Sequence, residues 1–450
     1  MRTHQARISK ITLIVALAVG AVQPLRAQER YEFTVAQAAD YAKKNSVQVR
    51  NALLDIRIRQ QGNREITSAA YPQINGTVNI TKYIDLPTSL IPGEFFGGTP
   101  GTFIPVQFGT EYNGTYGFTI DQLLFDGQVF VGLQARRASI DYYTQAQQVT
   151  EEQIKANVHK IYYQLVVGQK QISTIDANIA RTEKLLGDTR ALFQNGFAEK
   201  LDVDKTTVNL ANLRTEKTKL ENRLKTGYIG LKYLMGMPVK SELVLTDTLS
   251  DQTVKEDLLY DSVRYEDRKE FQLLQSQVKL NKYDIKRHQF TYIPKLSLTG
   301  NYSRNAQRNS FDFFKGGRDW FTITYIGLNL NVPIFDGFAK DARIKSARLA
   351  LEKTENNLDD LKNRIDLEVD SAIITIRNAI VTLDAQKQNM DLANEVYNQT
   401  KVKYDNGLGS NLEITNAEAE LRTSQNNYFQ ALYDAIVARI DYLKAVGKLQ

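Results

Sequence analysis

Two long stretches of the chain carry mostly apolar residues at the alternating four- and three-residue spacing of a coiled-coil helix. The first stretch comprises Ile154, Val158, Ile161, Leu165, Gly168, Ile172, Ile175, Ile179, Thr182 and Leu186. The second comprises Ile365, Val369, Ala372, Ile376, Ala379, Leu383, Gln386, Met390, Ala393 and Tyr397. A 3.5-residue period predicts that both helices supercoil against neighbours. Each stretch lies within a Pro-free segment of about 67 residues, 128–194 and 338–405, which at 1.5 Å per residue predicts a helix of about 100 Å.

Segments that alternate apolar and polar residues with period two precede each long helix. Such alternation predicts strands with one apolar and one polar face. The apolar positions are Ile74, Gly76, Val78, Ile80, Tyr116, Phe118 and Ile120 in the first half, and Leu296, Leu298, Gly300, Tyr302, Ile326, Leu328, Leu330 and Val332 in the second. We therefore expect one β-hairpin at about 72–125 and another at about 294–335, both with long tips.

The same order of motifs occurs twice along the chain. The matched pairs are Pro72 with Pro294, Phe125–Asp126–Gly127 with Phe335–Asp336–Gly337, Asn195–Gly196 with Asn406–Gly407, and Gly236 with Gly447. Ordered matches of this kind predict a structural repeat. We expect repeats at 28–240 and 241–450, each with a helix, a β-hairpin, a long helix and a returning helix. The first helices are expected at roughly 34–69 and 256–290.

The N-terminus has the composition of a secretory signal. A basic start precedes the apolar run Ile11–Val22, which is shorter than the roughly 20 residues that a membrane-spanning helix needs. We expect residues 1–27 to be removed, although a short inner-membrane anchor is the alternative. Those residues carry four of the 57 Lys and Arg, so the mature chain has 53 bases against 51 acids. The basic balance is thus no evidence for nucleic-acid binding.

Four strands with one apolar face cannot close a sheet by themselves. In a bilayer every backbone polar group must be paired, so an open edge is not tolerated there. The strands have about 12 residues, enough for the 9–11 that a tilted membrane strand needs. Three copies would close a 12-stranded barrel with its polar face inward. A soluble β-sandwich could explain the strands and an ordinary coiled coil the heptads, but neither explains both.

Taken together, the duplication, the two Phe-Asp-Gly turns and the two Asn-Gly helix ends resemble the TolC-type outer-membrane efflux proteins. The resemblance implies an α+β membrane protein of the cell outer membrane with a large periplasmic part. Its fold would be a homotrimer whose 12-stranded β-barrel continues into a periplasmic α-helical coiled-coil barrel. Such a protein is a passive exit duct for small toxic compounds or secreted protein, in a tripartite efflux pump or a type I secretion system. It works with a periplasmic adaptor and an inner-membrane transporter, and it needs no cofactor.

The resemblance also indicates candidate functional residues. The helix-hairpin tips, which by resemblance dock the adaptor, are Asn195, Gly196, Phe197, Asn406, Gly407 and Leu408. A plainer interpretation is that these Gly residues only end helices. The candidate periplasmic gate is Asp202, Glu413 and Asn416. Glu413 matches an acidic ring position, Asn416 stands where a second acid would follow, and Asp202 is either a gate contact or a surface acid.

The two strand-to-helix turns are expected to be structural. The turn residues are Asp126, Gly127, Asp336 and Gly337. An Asp before a helix can accept hydrogen bonds from the free N–H groups of the first turn. We assign these residues no role in transport.

Enzymatic chemistry has little support in the sequence. The chain has no Cys, and its three His residues lack the spacing of metal ligands. His159 and His288 are expected on helix surfaces. Two alternatives to a duct remain open: an exported coiled-coil scaffold or tether without a pore, and a periplasmic enzyme with a helical insertion.

Overall fold

The computed structural model describes residues 30–249 and 264–449. The expected signal and the start of the helix expected at 256–290 lie outside these residues. Along the chain the elements are β1 (Arg30–Phe33), α1 (Val35–Asn45), α2 (Val47–Ser68), β2 (Gln73–Lys82), β3 (Thr88–Pro92), β4 (Phe103–Gln107), β5 (Tyr112–Phe125), α3 (Gly127–Gln194), α4 (Lys200–Met235), β6 (Glu242–Leu245), α5 (Lys269–Gln289), β7 (Lys295–Arg308), β8 (Phe321–Asn331), α6 (Ala339–Asp405) and α7 (Asn411–Ala445).

The chain divides into two compact units. One contains the described residues up to Asn51, from Gln148 to Arg268, and from Arg364 onward. The other contains Ala52–Gln147 and Lys269–Asn363, and it includes the main sheet. Among the described residues, no helix combines the length and apolar character required to cross a membrane.

The heptad pattern describes the helical core correctly. Every seam position of α3 from Ile154 to Leu186 is buried or half-buried, and so is every seam position of α6 from Ile365 to Tyr397. On the returning helix α4, Leu210, Leu213 and Leu224 are buried as well. The α-helical part of the predicted fold class is therefore confirmed.

The first helical stretch differs from the expectation. Ser46 interrupts it with extended backbone at ψ 133°, so that α1 ends at Asn45 and α2 begins at Val47. A capping box opens α1: Thr34 Oγ1 accepts from Gln37 N at 3.3 Å, and Gln37 Oε1 accepts from Thr34 N at 2.9 Å. The short parallel pair of β1 with β6 was not predicted, because four-residue strands carry too little alternation to be recognised.

The main sheet has four antiparallel strands in the order β2-β5-β7-β8. The register places Ile74 opposite Ile120, Ile120 opposite Gly300, and Gly300 opposite Ile326, so the predicted apolar positions share one face. Val78 is 78% and Ile326 80% exposed on that face. In the described residues, β2 and β8 each have a partner on one side only. The sheet is open, and its apolar face is uncovered.

Details of the hairpins depart from the sequence pattern. The tip of the first hairpin is not irregular, because β3 and β4 form their own small antiparallel pair within it. Tyr302 lies mid-strand in β7 and stacks on Phe118 with ring centroids 5.3 Å apart. Trp320 lies just before β8, and its ring centroid is 4.7 Å from that of Tyr116.

Substitution of Gly236 by Ala should destabilise the helical unit. Gly236 ends α4 in the left-handed conformation at φ 72°, and a Cβ there would lie 2.2 Å from the Asn45 backbone oxygen. The left-handed conformation and the overlap together should cost about 2–5 kcal/mol. The measurement is thermal unfolding by circular dichroism. The matched control is Gly187→Ala, an exposed position inside α3 with open space around it, which should gain about 0.5–1 kcal/mol. Equal effects at both positions would contradict this packing.

Candidate functional site

The two helix-hairpin tips have the same backbone geometry. Gly196 (φ 79°) and Gly407 (φ 74°) are both left-handed. At the first tip Phe197 N donates to Leu192 O at 2.9 Å and Gly196 N to Phe193 O at 3.0 Å. The equivalent bonds of Leu408 N and Gly407 N at the second tip are also 2.9 and 3.0 Å long. Both tips are Schellman motifs, in which Gly adopts the left-handed conformation without a steric cost.

Each tip also exposes a large apolar side chain. The amides of Asn195 and Asn406 turn back and donate to backbone oxygens four residues earlier, at 2.8 and 2.7 Å. Beyond them Phe197 is 81% and Leu408 80% exposed. An apolar residue often follows the Gly of a Schellman motif and packs on the last helical turn. Because Phe197 and Leu408 are about 80% exposed, such packing covers little of either side chain.

The start of the returning helices connects the two tips. Asp202 Oδ2 accepts from Glu199 N at 3.4 Å and caps α4, while its Oδ1 accepts from Asn411 Nδ2 of α7 at 3.0 Å. Further along, Thr189 Oγ1 and Tyr404 Oη are 3.2 Å apart. The two hairpins are thus held together by side-chain hydrogen bonds.

The three candidate gate residues differ in exposure and in their contacts within the chain. Asp202 is half-buried and bonded within the chain, whereas Glu413 and Asn416 are exposed. Glu413 N donates to Ser410 Oγ, which caps α7, at 3.2 Å, and the side chain of Glu413 is exposed. The structure does not bring Asp202 and Glu413 into hydrogen-bond contact.

A buried acid below the tips was missed by the sequence analysis. Glu418 of α7 is 6% exposed and lies in hydrogen-bond contact with Thr182 of α3. Asn209 of α4 donates to Glu418 Oε2 at 3.2 Å, and Arg422 donates to Asn209 Oδ1 at 3.3 Å. Glu418 therefore joins three helices. The available signal was its position between Ile414 and Leu421 at heptad spacing, where an apolar residue is usual.

A second set of polar contacts surrounds Glu418. Arg181 donates to Asn178, and its guanidinium lies 5.3 Å from the centroid of the Tyr397 ring. Asn178 Nδ2 donates to Gln425 Oε1 at 2.8 Å. Burial raises the pKa of the Glu418 carboxyl, and Thr182, Arg181 and Arg422 oppose that rise. The helices are thus joined by polar side chains where the coiled-coil seam would normally be apolar.

Comparison with known proteins identifies the family of this chain. A family model described as outer membrane efflux protein matches residues 38–237 and 265–448. The chain belongs to the outer membrane efflux protein family. The resemblance indicated by the motifs is therefore confirmed. The protein is an outer-membrane exit duct for efflux or secretion with a large periplasmic part, and members of its family are channels rather than enzymes.

The relatives have low sequence identity to this efflux protein, but the matched regions cover most of each chain. The outer membrane protein TolC of Vibrio cholerae is 22% identical over 347 residues, which are 74% of this chain and 76% of TolC. The outer membrane efflux protein BepC of Brucella suis is 22% identical over 94% of this chain and 88% of its own. The solved structure of CusC superposes with a TM-score of 0.74 at 16% identity, covering 92% of each chain. That likeness shows the fold alone.

The strand-to-helix turns of the efflux protein differ between its two halves. Asp126 Oδ1 accepts from Gln128 N at 2.8 Å, and Asp126 Oδ2 lies 2.7 Å from Lys295 Nζ. In the second half Asp336 Oδ2 accepts from Lys340 N at 2.9 Å. There both Gly337 and Phe338 are left-handed, at φ 66° each, and Phe338 is the one non-Gly residue with positive φ in the described part. Both Asp residues accept a hydrogen bond from a backbone N–H at the start of the following helix.

One expectation about the efflux protein's histidines was wrong. His159 is not a surface residue; it is half-buried beside the Tyr163 ring. Burial, with Lys155 and Arg439 nearby, lowers the pKa of His159 to about 4. The imidazole is therefore neutral at periplasmic pH. Among residues 30–249 and 264–449, no group of three or more His, Asp or Glu could hold a metal ion.

Replacement of Glu418 by Gln should change how stability depends on pH. Because the folded state raises the pKa of Glu418, it holds this proton more tightly than the unfolded chain does. The contribution of Glu418 is thus most favourable below the ordinary carboxyl pKa of about 4.3, and it falls as the pH rises through the folded pKa. We therefore compare the melting temperatures of the wild type and of Glu418→Gln at each pH. The difference, wild type minus variant, should become smaller as the pH rises from 4 to 7.

The control for this prediction is Glu420→Gln, since Glu420 is an exposed acid on the same helix. Its melting difference from the wild type should vary little with pH. A difference for Glu418→Gln that rises with pH would show that the folded state favours the charged form of Glu418.

Proposed function

We propose that three copies of this chain assemble into one closed duct through the outer membrane. The observation that carries the proposal is the four-stranded sheet with an uncovered apolar face and two unpaired edges, β2 and β8. In water the exposed face would aggregate, and in lipid the unpaired edges would leave backbone groups without partners. Pairing β8 of each copy with β2 of the next would satisfy both requirements in a 12-stranded barrel.

The inner surface of such a barrel would be almost uncharged. Opposite the apolar face the strands present Asn75, Thr119 and Asn301 in one row and Asn79, Thr115 and Asn305 in another. These side chains also bond across the strands, as Asn305 Nδ2 to Thr115 Oγ1 at 2.9 Å. A neutral, hydrogen-bonding wall fits a passive conduit for cargo of mixed charge.

The helix-hairpin tips would dock the periplasmic adaptor that connects the duct to an inner-membrane transporter. The support is the pair of exposed apolar residues, Phe197 and Leu408, which rigid Schellman turns hold at matching positions of the two halves. A fixed apolar side chain that is exposed in the free protein is a suitable anchor for a partner.

The gate would close by contacts near these tips. Three exposed Glu413 carboxylates around one axis would favour cations and repel anions, with Asn416 one turn further along α7. Asp202 would hold the two hairpins of one chain together through Asn411.

Both kinds of cargo remain within the proposal. Relatives include the proteases secretion protein PrtF of Dickeya chrysanthemi and the antibiotic efflux pump outer membrane protein ArpC of Pseudomonas putida. The proposed cargo of this duct is therefore a secreted protein or a small toxic compound. The alternative function, a scaffold or tether without a pore, would transport neither.

Planar lipid bilayers test the duct directly. The purified mature protein should insert and give stepwise ion currents, and Glu413→Lys should shift the permeability from cations toward anions. The matched control is Glu395→Lys, at an exposed acid on α6 away from the tips. Absence of any current from folded protein would exclude a pore.

A further inference from the structure

The tip of the first β-hairpin carries an unusual number of exposed apolar residues. This segment, called the apolar flap here, consists of residues 84–111 and includes β3 and β4. Within the flap, Phe95 is 80%, Phe96 65% and Phe103 62% exposed. An isolated exposed Phe is ordinary on a protein surface, but a group of this kind usually marks a contact surface.

A second apolar surface lies on the face of β8 that should be polar. From Ile326 onward β8 has its apolar residues on the apolar face of the sheet. Before Ile326 the phase is reversed, so that Phe321, Ile323 and Tyr325 share the face of Asn305, Ser303 and Asn301. Phe321 is 63%, Ile323 50% and Tyr325 53% exposed. This reversal places an apolar strip on an otherwise neutral polar wall.

The proposed closure of the barrel brings these two surfaces together. The antiparallel order of the sheet places the end of β2 at Lys82 and the start of β8 at Phe321 on the same side of the sheet. If β8 of one copy pairs with β2 of the next, the flap that follows β2 begins beside the start of the neighbour's β8. The apolar strip begins at that same point.

The charges of the two regions are compatible with such a contact. The flap contains three acids, Asp85, Glu94 and Glu111, and no Lys or Arg. The loop that leads into β8 exposes Lys315, Arg318 and Asp319, and Arg318 Nε already lies 3.2 Å from Asp312 Oδ2. Lys315 is therefore the basic side chain that the acidic residues of a neighbouring flap would approach.

We propose that the apolar flap of each copy packs on the Phe321–Ile323–Tyr325 strip of the next copy, across the outer mouth of the duct. The inference rests on the proposed trimer. It explains both why the flap exposes Phe residues and why β8 reverses its phase. The packed flaps narrow the pore at that mouth.

Cysteine cross-linking tests this contact, because the chain has no Cys of its own. Ile323→Cys is combined with Phe95→Cys or Phe96→Cys, and the trimer in detergent is treated with a mild oxidant. We expect at least one pair to give covalent dimers and trimers on a non-reducing gel. The matched control pairs Ile326→Cys with the same flap positions. It should give no links, since Ile326 lies on the other face of β8.

Several outcomes of the cross-linking experiment would contradict the proposed flap contact. Links within a single chain would overturn the proposal, and so would an absence of links. Quenching of a dye on Phe96→Cys by quenchers in the lipid tails would overturn it in favour of membrane contact. The mass of the same preparation shows which of the two proposals fails. A trimer without links refutes only the flap contact, whereas a monomer refutes the trimeric duct as well.

Discussion

Joint replacement of Phe197 and Leu408 by Ser should abolish export while leaving an assembled, conducting channel. Both side chains are at least 80% exposed, so their loss removes almost no packing from the folded chain. Anchor residues at interfaces typically contribute about 2 kcal/mol or more each, so binding of the adaptor should weaken on the order of a thousandfold. The measurement is growth of a deletion strain that carries the variant, tested against dyes, detergents and antibiotics.

The control for this double variant is Tyr233→Ser, at a residue 79% exposed on α4 but remote in sequence from both tips. That variant should restore resistance as the wild type does. Bilayer currents of the double variant should equal those of the wild type. Full resistance with the double variant would show that the tips do not dock the adaptor, and lost currents would show that they serve the pore itself.

Replacement of Ile326 by Lys should prevent stable assembly in the outer membrane. Ile326 lies in the middle of β8, on the apolar face and 80% exposed, so the proposed barrel places it against lipid. A Lys at the bilayer midplane of a barrel costs about 2–4 kcal/mol, and the trimer would contain three. The measurement is the amount of heat-modifiable trimer in outer-membrane fractions.

The matched substitution for this prediction is Asn329→Lys, on the opposite face of the same strand. There the ammonium would lie in the aqueous interior, so the trimer should form normally and only its ion selectivity should change. If Asn329→Lys were the harmful variant and Ile326→Lys the tolerated one, the assignment of the two faces would be reversed.

Features that repeat along the sequence were predictable. Heptads repeated over ten positions identify the buried seam of α3, since period and length together exclude a strand. Alternation over a dozen residues likewise identifies the faces of β2 and β5, and the register confirms the pairing of Ile74 with Ile120. The Asn-Gly pairs locate the ends of α3 and α6 because few residues other than Gly adopt the left-handed conformation easily.

Features that depend on a single distant contact were not predictable. The heptad position of Glu418 between Ile414 and Leu421 indicates burial, but only packing shows that Thr182 and Asn209 reach it. His159 is half-buried, and the charge of Arg439, which is far away in the sequence, helps to lower its pKa. The strands β3 and β4 lie in a Pro- and Gly-rich segment that favours turns, yet they pair from Thr88 to Gln107. Local propensity carries no information about such contacts.

Native mass spectrometry of the detergent-extracted protein tests the central claim most directly, because the chain supplies four strands with two unpaired edges. The account predicts one species with three copies of the chain of 51.1 kDa, less the N-terminal signal. A chain that stays single and remains in solution after the detergent is removed would contradict it.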